Sequence, residues 1–244
     1  MKISIAQTRP VTGDVQQNIY LHQRFIVQAA AGGADLIVFP ELSLTGYELT
    51  LAQELALNPE DDRLHVFQSL AATHNLTIGV GAPTCHPAGV CISLIIFRPD
   101  KSRHVYSKQH LHPDEEAFFV SGGSSRNLIG EGDNVALAIC YELSVPEHAA
   151  QAFAHGAAVY IASVAKYAHG VDMAAQRLVE IAHSYAMTVV MANAVGPADG
   201  GECAGQTAVW NTQGRLVAQL DNAHEGLILY DTDRQKWVKM AAVG

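Results

Sequence analysis

Three side chains that could carry acyl-transfer chemistry stand at or near the ends of short apolar runs in the sequence. They are Glu41, Lys108 and Cys140. A thiolate can attack a carbonyl carbon, a carboxylate can take up the thiol proton, and an ammonium group can stabilise the resulting oxyanion. Each residue alone has an ordinary explanation, because cysteine is often a core residue and glutamate and lysine are commonly solvated. The prediction therefore depends on all three occurring together.

Strands that end at one edge of a sheet would bring these side chains together. Runs rich in β-branched residues predict strands at residues 3–7, 36–39, 77–82, 91–97, 135–139, 159–163, 189–192 and 226–230. Helical patterns occur at residues 15–31, 63–74, 146–155 and 172–186. Side chains at the carboxyl ends of strands in an open α/β sheet point into the ligand crevice. We therefore expect the carboxylate, the amine and the thiol to converge.

Two turn signals predict hairpins and hence a mixed sheet. Arg98-Pro99-Asp100-Lys101 precedes a short strand at 104–107, and Thr212-Gln213-Gly214 separates runs at 208–210 and 216–219. The sequence has no low-complexity linker. The economical interpretation is a single α/β domain over residues 1–244, with helices covering the outer faces of the sheet.

The composition excludes several classes of protein. The 244 residues are 49% hydrophobic and 16% charged, which is typical of a globular chain. The net charge is −9 and the basic residues are scattered, so a nucleic-acid partner is not expected. No apolar run approaches the roughly 20 residues of a membrane span, and the first residues indicate a strand rather than a signal peptide. The four cysteines form no CxxC pair, which favours the reducing cytoplasm.

Three segments around the reactive residues resemble the catalytic blocks of the nitrilase-like carbon–nitrogen hydrolase superfamily. They are Phe39-Pro40-Glu41-Leu42-Ser43-Leu44-Thr45-Gly46-Tyr47, Tyr106-Ser107-Lys108-Gln109-His110-Leu111 and Ile139-Cys140-Tyr141-Glu142-Leu143-Ser144-Val145-Pro146-Glu147. They occur in the family's order, and their flanking elements run from residue 2 to about residue 233. The resemblance implies an α-β-β-α sandwich that forms four layers, without a metal or cofactor.

The resemblance also implies a catalytic triad of Glu41, Lys108 and Cys140. In this hypothesis Glu41 accepts the thiol proton, returns it to the leaving amine, and later activates the water that cleaves the thioester. Lys108 and the backbone N–H of Tyr141 would stabilise the oxyanion. A second glutamate is common after the lysine in the family. Glu115 fits that position through the spacing to Phe119 and Gly122, and Glu116 is the alternative. The predicted pocket wall consists of Tyr47, Phe119, Tyr141, Lys166, Tyr167 and Asn193.

The resemblance favours hydrolysis of a small amide, releasing ammonia or an amine, and implies a homodimer or higher homo-oligomer. Cys140-Tyr141-Glu142 resembles the amidases more than the nitrilases, in which tryptophan commonly follows the cysteine. An N-carbamoyl amidohydrolase and a nitrilase with the same triad are the alternatives. The family's frequent Arg-Phe-Pro-Glu is replaced by Ser144-Val145-Pro146-Glu147, which lacks the arginine and the aromatic ring.

Three further hypotheses assign the protein to other functional classes. His110 and His112, with the acidic residues that follow, suggest a metallohydrolase, although no HExxH spacing is present. A papain-like cysteine enzyme would show a local cysteine signature that this sequence lacks. A non-catalytic amide-binding module would be marked by a substituted triad, whereas all three residues are present.

Overall fold

Two β-sheets pack face to face and carry helices on their outer sides in a computed structural model of the protein, which describes residues 1–99, 103–123, 127–130, 132 and 134–242. The strands are β1 (Lys2–Gln7), β2 (Leu36–Val38), β3 (Thr77–His86), β4 (Gly89–Phe97), β5 (His104–Ser107), β6 (Leu128–Ile129), β7 (Val135–Ile139), β8 (Val159–Val164), β9 (Thr188–Asn193), β10 (Val195–Ala198), β11 (Gly201–Ala204), β12 (Ala208–Trp210), β13 (Leu216–Gln219), β14 (Gly226–Asp231) and β15 (Lys236–Ala241). The α-helices are α1 (Val15–Ala31), α2 (His65–His74), α3 (Pro146–Ala154) and α4 (Ala168–Tyr185).

The strand order explains how three separate chain segments reach one edge. In the first sheet the order is β15-β14-β1-β2-β3-β4-β5. Strands β1, β2 and β3 are parallel, and two successive antiparallel pairings return β5 to their direction. In the second sheet the order is β13-β12-β9-β8-β7-β6, with β7, β8 and β9 parallel. The carboxyl ends of β2 and β5 therefore share one edge, as do those of β7 and β8.

Alternation of apolar side chains along the strands produces two separate cores. On β2, Leu36 and Val38 belong to the core between the sheets, whereas Ile37 packs with α1 and α2. On β4, Leu94 and Ile95 divide in the same way. The core between the sheets extends through the second sheet to α3 and α4. This arrangement is the predicted α-β-β-α sandwich, and the fold prediction is confirmed.

Most predicted elements are present, and the differences at their ends have local causes. The strand predicted at 77–82 continues to His86, because β3 pairs with β4 over that whole stretch. Pro83 is tolerated within it, because the pairing of β3 with β2 ends at Gly79 and no N–H of Pro83 is needed for a bond to β2. The helix predicted at 172–186 begins earlier, at Ala168. The sequence pattern missed its first turn because Gly170 weakens the helical signal there.

Some elements were not predicted or differ in type. Residues 62–64 form a 3-10 helix before α2, and β6, β10, β11 and β15 were missed. Both hairpin pairings are present, β4 with β5 and β12 with β13. Asp100 and Lys101 of the first predicted turn lie outside the described residues. Among the helices of the described residues, none has the length and apolar character needed to cross a membrane.

Candidate active site

Glu41 lies in a tight segment that follows β2. The backbone N–H of Phe39 bonds to Gly79 on β3, and the hydroxyl of Ser163 on β8 donates to the carbonyl oxygen of Phe39 at 2.8 Å. This second bond joins the two sheets directly behind Glu41. Gly81 must be glycine here, because a Cβ atom would lie 2.3 Å from the carbonyl oxygen of Pro40. The carboxylate is therefore fixed by close backbone packing, and it is buried.

Lys108 follows β5 and is completely buried. Its backbone N–H donates to the carbonyl oxygen of Ile92 on β4, and its own carbonyl oxygen accepts from Gly122, both at 2.8 Å. A Cβ atom on Gly122 would lie 2.3 Å from the Cβ atom of Ser107, so the returning chain packs closely against the end of β5. These contacts hold the lysine backbone from both sides.

Cys140 directly follows β7 and is the first residue of a 3-10 helix over Cys140–Ser144. Its φ of 45° lies in the left-handed region, which costs free energy for a residue with a Cβ atom. The side chain is buried, with 8% exposed. The first N–H groups of a helix have no partner inside it, so the N–H of Tyr141, in the first turn of this helix, is available to a ligand.

The structure brings Glu41, Lys108 and Glu115 into one buried ion-pair cluster. Lys108 Nζ lies 2.8 Å from Glu41 Oε1 and 2.7 and 2.8 Å from the two oxygens of Glu115. Glu115 also accepts from the Tyr47 hydroxyl at 2.9 Å. Glu116 is exposed, so the geometry selects Glu115 of the two candidates. One ammonium group thus bridges two carboxylates.

The protonation states follow from burial and from these neighbours. Burial raises the pKa of Cys140 to about 11, and Glu41 adds to the shift while Lys166 and Lys108 oppose it. Burial also raises the pKa of Glu41, against the attraction of Lys108. Burial alone would lower the pKa of Lys108, but Glu41, Cys140 and Glu115 hold it above its ordinary value. At neutral pH Cys140 is therefore a thiol and Lys108 an ammonium ion.

One oxygen of Glu41 is free to exchange a proton. Oε1 accepts from Lys108, whereas Oε2 is buried without a hydrogen-bond donor from any residue that the structure describes. Interaction with the Cys140 thiol also lowers the pKa of Glu41, so the carboxylate and the thiol are close enough to influence each other. A buried carboxylate oxygen without a donor is costly unless a reacting group supplies one. This atom is suited to accept the thiol proton.

A buried network behind Cys140 and Lys108 involves residues whose role the sequence interpretation missed. Glu142 accepts from the N–H of Ile139 at 2.7 Å, from the N–H of Gln109 at 2.6 Å and from the Tyr106 hydroxyl at 2.8 Å. Ile139 precedes the cysteine and Gln109 follows the lysine. Glu142 therefore ties the segments that carry Cys140 and Lys108 together. The only signal in the sequence was an acidic residue inside an apolar block.

His148 on α3 completes this network. Its Nδ1 lies 2.9 Å from the Tyr160 hydroxyl, and its Nε2 lies 3.0 Å from the hydroxyl of Tyr106. Burial lowers the pKa of His148 to about 4, and His110 contributes. The ring is therefore neutral at neutral pH. Burial likewise raises the pKa of Glu142 in spite of its hydrogen bonds.

The residues predicted for the pocket wall are placed in different environments. Tyr47 contacts Glu115, and the half-buried Tyr141 packs edge-on against His112. Lys166 is half-buried and interacts with Cys140. The Tyr167 hydroxyl donates to the carbonyl oxygen of Ala198. Phe119 is buried in the core between the sheets.

Asn193 differs from the prediction. Its side chain is fully buried, and Oδ1 accepts from the N–H groups of Lys166 and Ala194. Its Nδ2 donates to the carbonyl oxygens of Lys166 and Gly205. With both ends of the amide bound to backbone, Asn193 holds the loop after β8 and does not present its amide to a ligand.

The histidines behind the metallohydrolase hypothesis are separated by their contacts. The His110 ring packs edge-on against His148, whereas His112 caps the 3-10 helix over Pro113–Glu115. In the portion of the chain that the structure describes, no three His, Cys, Asp or Glu side chains are grouped as metal ligands would be.

Known proteins resemble this chain over most of its length. The family model described as Carbon-nitrogen hydrolase matches residues 2–242. An (R)-stereoselective amidase of Pseudomonas sp. is 27% identical over 82% of this chain and 73% of its own length. A probable nitrilase of Schizosaccharomyces pombe is 25% identical over 96% of this chain and 89% of its own.

A solved structure is also similar. The NitN amidase from Nesterenkonia sp. AN1 superposes with a TM-score of 0.85 at 24% identity, covering 95% of this chain and 92% of that one. A mutant of that amidase shows acrylamide added at its active site cysteine. At this identity the likeness establishes the fold.

Proposed function

Because the chain belongs to the carbon–nitrogen hydrolase family, we propose that it hydrolyses the C–N bond of a small linear amide through a thioester on Cys140. The observation that carries the proposal is the buried cluster in which Lys108 bridges Glu41 and Glu115 beside the cysteine. The residues of the cluster provide a nucleophile, a proton acceptor and a fixed positive charge within one enclosed site.

The first half-reaction forms the thioester. Cys140 Sγ attacks the carbonyl carbon of the amide, its proton passes to Glu41, and the carbonyl π electrons move onto the oxygen. Lys108 and the N–H of Tyr141 stabilise that oxyanion. When the intermediate collapses, the C–N bond breaks and Glu41 returns the proton to the leaving amine.

The second half-reaction releases the acid. A water molecule gives a proton to Glu41 and attacks the thioester carbon, which again produces an oxyanion beside Lys108. The C–S bond then breaks and the proton returns to the sulfur. Glu115 contributes by holding Lys108 in place through both of its oxygens.

An amide is favoured over a nitrile or an N-carbamoyl compound by the residue after the nucleophile. Tyr141 stands where tryptophan is common in the nitrilases. The alternatives use the same triad, so a substrate screen must separate them. Ammonia release should be measured with linear amides, N-carbamoyl compounds and nitriles, and linear amides should give the highest kcat/KM.

The covalent step has its own test. Trapping with iodoacetamide followed by peptide mass spectrometry should place the adduct on Cys140, and Cys140→Ala should abolish turnover without loss of fold. Cys85→Ala is the matched control, because Cys85 is an exposed free thiol, and it should retain activity. Loss of activity with modification confined to Cys85, Cys91 or Cys203 would refute the proposal.

A further inference from the structure

A buried histidine of α1 contacts the chain on both sides of Glu41. The His22 ring stacks on Phe39, with 4.0 Å between the ring centroids, and its Nε2 lies 2.9 Å from the Ser43 hydroxyl. Phe39 precedes Glu41 by two positions, and Ser43 follows it by two. The side chains of His22, Phe39 and Ser43 are all buried. His22 therefore holds the segment that carries Glu41 before and after the carboxylate.

The hydroxyl of Ser43 joins His22 to the neighbouring strand. A carbonyl oxygen can only accept, so Nδ1 of the ring donates to the carbonyl oxygen of Asn18 at 2.7 Å. Burial lowers the pKa of His22 to about 4, so the ring is neutral at neutral pH and its Nε2 accepts from the Ser43 hydroxyl. The same hydroxyl oxygen accepts from the N–H of Gly81 on β3 at 3.3 Å. A continuous chain of hydrogen bonds thus runs from α1 through Ser43 to β3.

The backbone conformation at Leu42 makes these contacts necessary. Leu42 stands between Glu41 and Ser43, and its φ of 51° lies in the left-handed region, which is costly for a residue with a Cβ atom. The pairing of β2 with β3 ends before Glu41. The segment is held on β3 instead by the Ser43 hydroxyl and by the N–H of Leu44, which donates to the carbonyl oxygen of Gly81 at 2.9 Å. Loss of the Ser43 contact would leave the carboxylate less firmly placed.

We propose that His22, acting through Ser43, positions Glu41 as the proton acceptor of the reaction. This inference rests on the proposed role of Glu41 in amide hydrolysis. One oxygen of Glu41 is bound to Lys108 at 2.8 Å, so the placement of the other oxygen depends on the backbone that carries the side chain. His22 packs against Phe67 in the core between α1, α2 and the first sheet. It therefore acts through this backbone and not by touching the reacting atoms.

Kinetics of conservative and non-conservative variants test the positioning role. Ser43→Ala removes the shared hydroxyl, and His22→Phe keeps a ring against Phe39 but loses both hydrogen bonds. For the linear amide that the substrate screen ranks first, each should lower kcat by about tenfold or more with little change in KM, because displacement of the base affects the transition state and not binding. His22→Gln can still donate and accept and should recover most of kcat. Ser4→Ala, which removes a buried hydroxyl from β1, is the control and should retain the wild-type kcat.

Alkylation of Cys140 separates this inference from the proposed function. Reaction with iodoacetamide requires no amide turnover, and Glu41→Gln should slow it because the base is lost. His22→Phe should slow alkylation in the wild-type background and add nothing in the Glu41→Gln background, since both changes act through one group. Equal slowing in both backgrounds, or a lower melting temperature with the wild-type kcat, would overturn the positioning role and leave the amidase proposal intact. Alkylation of Glu41→Gln at the wild-type rate would instead remove Glu41 as the base, and this inference with it.

Discussion

The Cys140 thiol, the proposed nucleophile, is neutral at rest, and this distinguishes the site from one that stores a thiolate. Burial and the nearby Glu41 carboxylate both disfavour the charged sulfur, with a pKa of about 11. A stable thiolate beside two carboxylates would be costly in a buried site. The proton must therefore leave during the attack, and Glu41 has a free oxygen for it. The proposed chemistry therefore depends on Glu41 being ionised.

The pH dependence of kcat/KM should report that ionisation. Burial raises the pKa of Glu41, so activity should fall with acidification at a midpoint above the ordinary carboxyl value of 4.5. The raised pKa values of Cys140 and Lys108 predict little loss on the alkaline side up to about pH 9. Steady-state kinetics across this range would check the acid and the alkaline side of the pH profile. An acid midpoint at or below 4.5 would show that burial does not dominate at Glu41.

Removing the charge of Lys108 should affect the transition state more than binding. Lys108→Met is expected to lower kcat by about 100-fold or more with a smaller change in KM, since the ammonium faces the developing oxyanion. The variant leaves two buried carboxylates unpaired, which can cost about 3–5 kcal/mol of stability. Circular dichroism should therefore accompany the kinetics. The double variant Lys108→Met with Glu115→Gln removes one charge of each sign and should be as inactive. A raised KM with preserved kcat would exclude the oxyanion role.

At the scale of elements, the sequence identified where the reactive residues lie but not what holds them. Apolar runs with a reactive residue after them are local signals, so the positions of Glu41, Lys108 and Cys140 could be read without a structure. The joining contacts are not local. The hydroxyl of Ser163 reaches Phe39 on the other sheet, and Glu142 reaches Gln109, far away along the chain. No periodicity encodes such pairings.

The sequence interpretation missed strands that can be recognised only from the neighbouring strands with which they pair. Strand β6 has two residues, and β10 and β11 pair mainly with each other across a turn at Asp199-Gly200. Strand β15 is largely exposed, and its sequence KWVKMA does not alternate between apolar and polar residues, so it lacks the pattern that marks a half-buried strand. Its existence depends on the neighbouring β14, which is visible only in three dimensions.

Glu142 should position the two catalytic segments. In Glu142→Gln one oxygen is replaced by an NH2 group that faces an N–H or hydroxyl donor, so at least one of the three hydrogen bonds is lost. We expect kcat to fall by about 10- to 100-fold with little change in KM, because small shifts of the nucleophile and the oxyanion donor are costly. Slower iodoacetamide modification of Cys140 should accompany the change.

The control for this prediction is Glu147→Gln, an exposed acidic residue in the first turn of α3. It should retain the wild-type kcat. A purely structural role for Glu142 would lower the melting temperature of Glu142→Gln without altering kcat in the folded fraction, and that outcome would exclude positioning.

At the scale of the whole molecule, the outer face formed by α3 and α4 presents apolar side chains to solvent. Phe153 is 51% exposed and Met173 is 69% exposed. We propose that a second copy of the chain covers this face, because the family resemblance implies pairing of such helices and two-fold contacts are the commonest assembly. The cytoplasmic location and the single-domain organisation likewise stay predictions.

Light scattering should give twice the 26.1 kDa mass of the chain. Phe153→Asp combined with Met173→Asp should yield the monomer, since two buried charges would disfavour the interface. Leu216→Asp, at a similarly exposed apolar residue on β13, should remain dimeric. A wild-type monomer at micromolar concentration would contradict the proposal.

Two buried neutral histidines make the fold sensitive to acid. His22 on α1 donates from Nδ1 to the carbonyl oxygen of Asn18 at 2.7 Å, which leaves Nε2 to accept from the Ser43 hydroxyl at 2.9 Å. Its ring stacks on Phe39 beside the Glu41 segment. Burial lowers the pKa of His22 from 6.5 to about 4, against a smaller opposite effect of the Asn18 bond, and His148 is shifted similarly.

The sign of the pH effect follows from proton uptake. Between pH 6.5 and about pH 4 the unfolded chain binds a proton at His22 that the folded protein does not, so stability falls as the pH is lowered through that window. The full shift corresponds to about 3 kcal/mol for His22. The raised pKa values of Glu41 and Glu142 act in the opposite direction, because the folded protein holds their protons more firmly.

Urea unfolding at about pH 7 and about pH 4.5 should show a net loss of stability in the wild type. His22→Gln, which can keep one donor and one acceptor, should lose about 2 kcal/mol less across that range, because part of the shift develops only below pH 4.5, whereas the exposed His74→Gln should follow the wild type. Equal losses in the wild type and His22→Gln would mean that protonation of His22 does not drive acid unfolding.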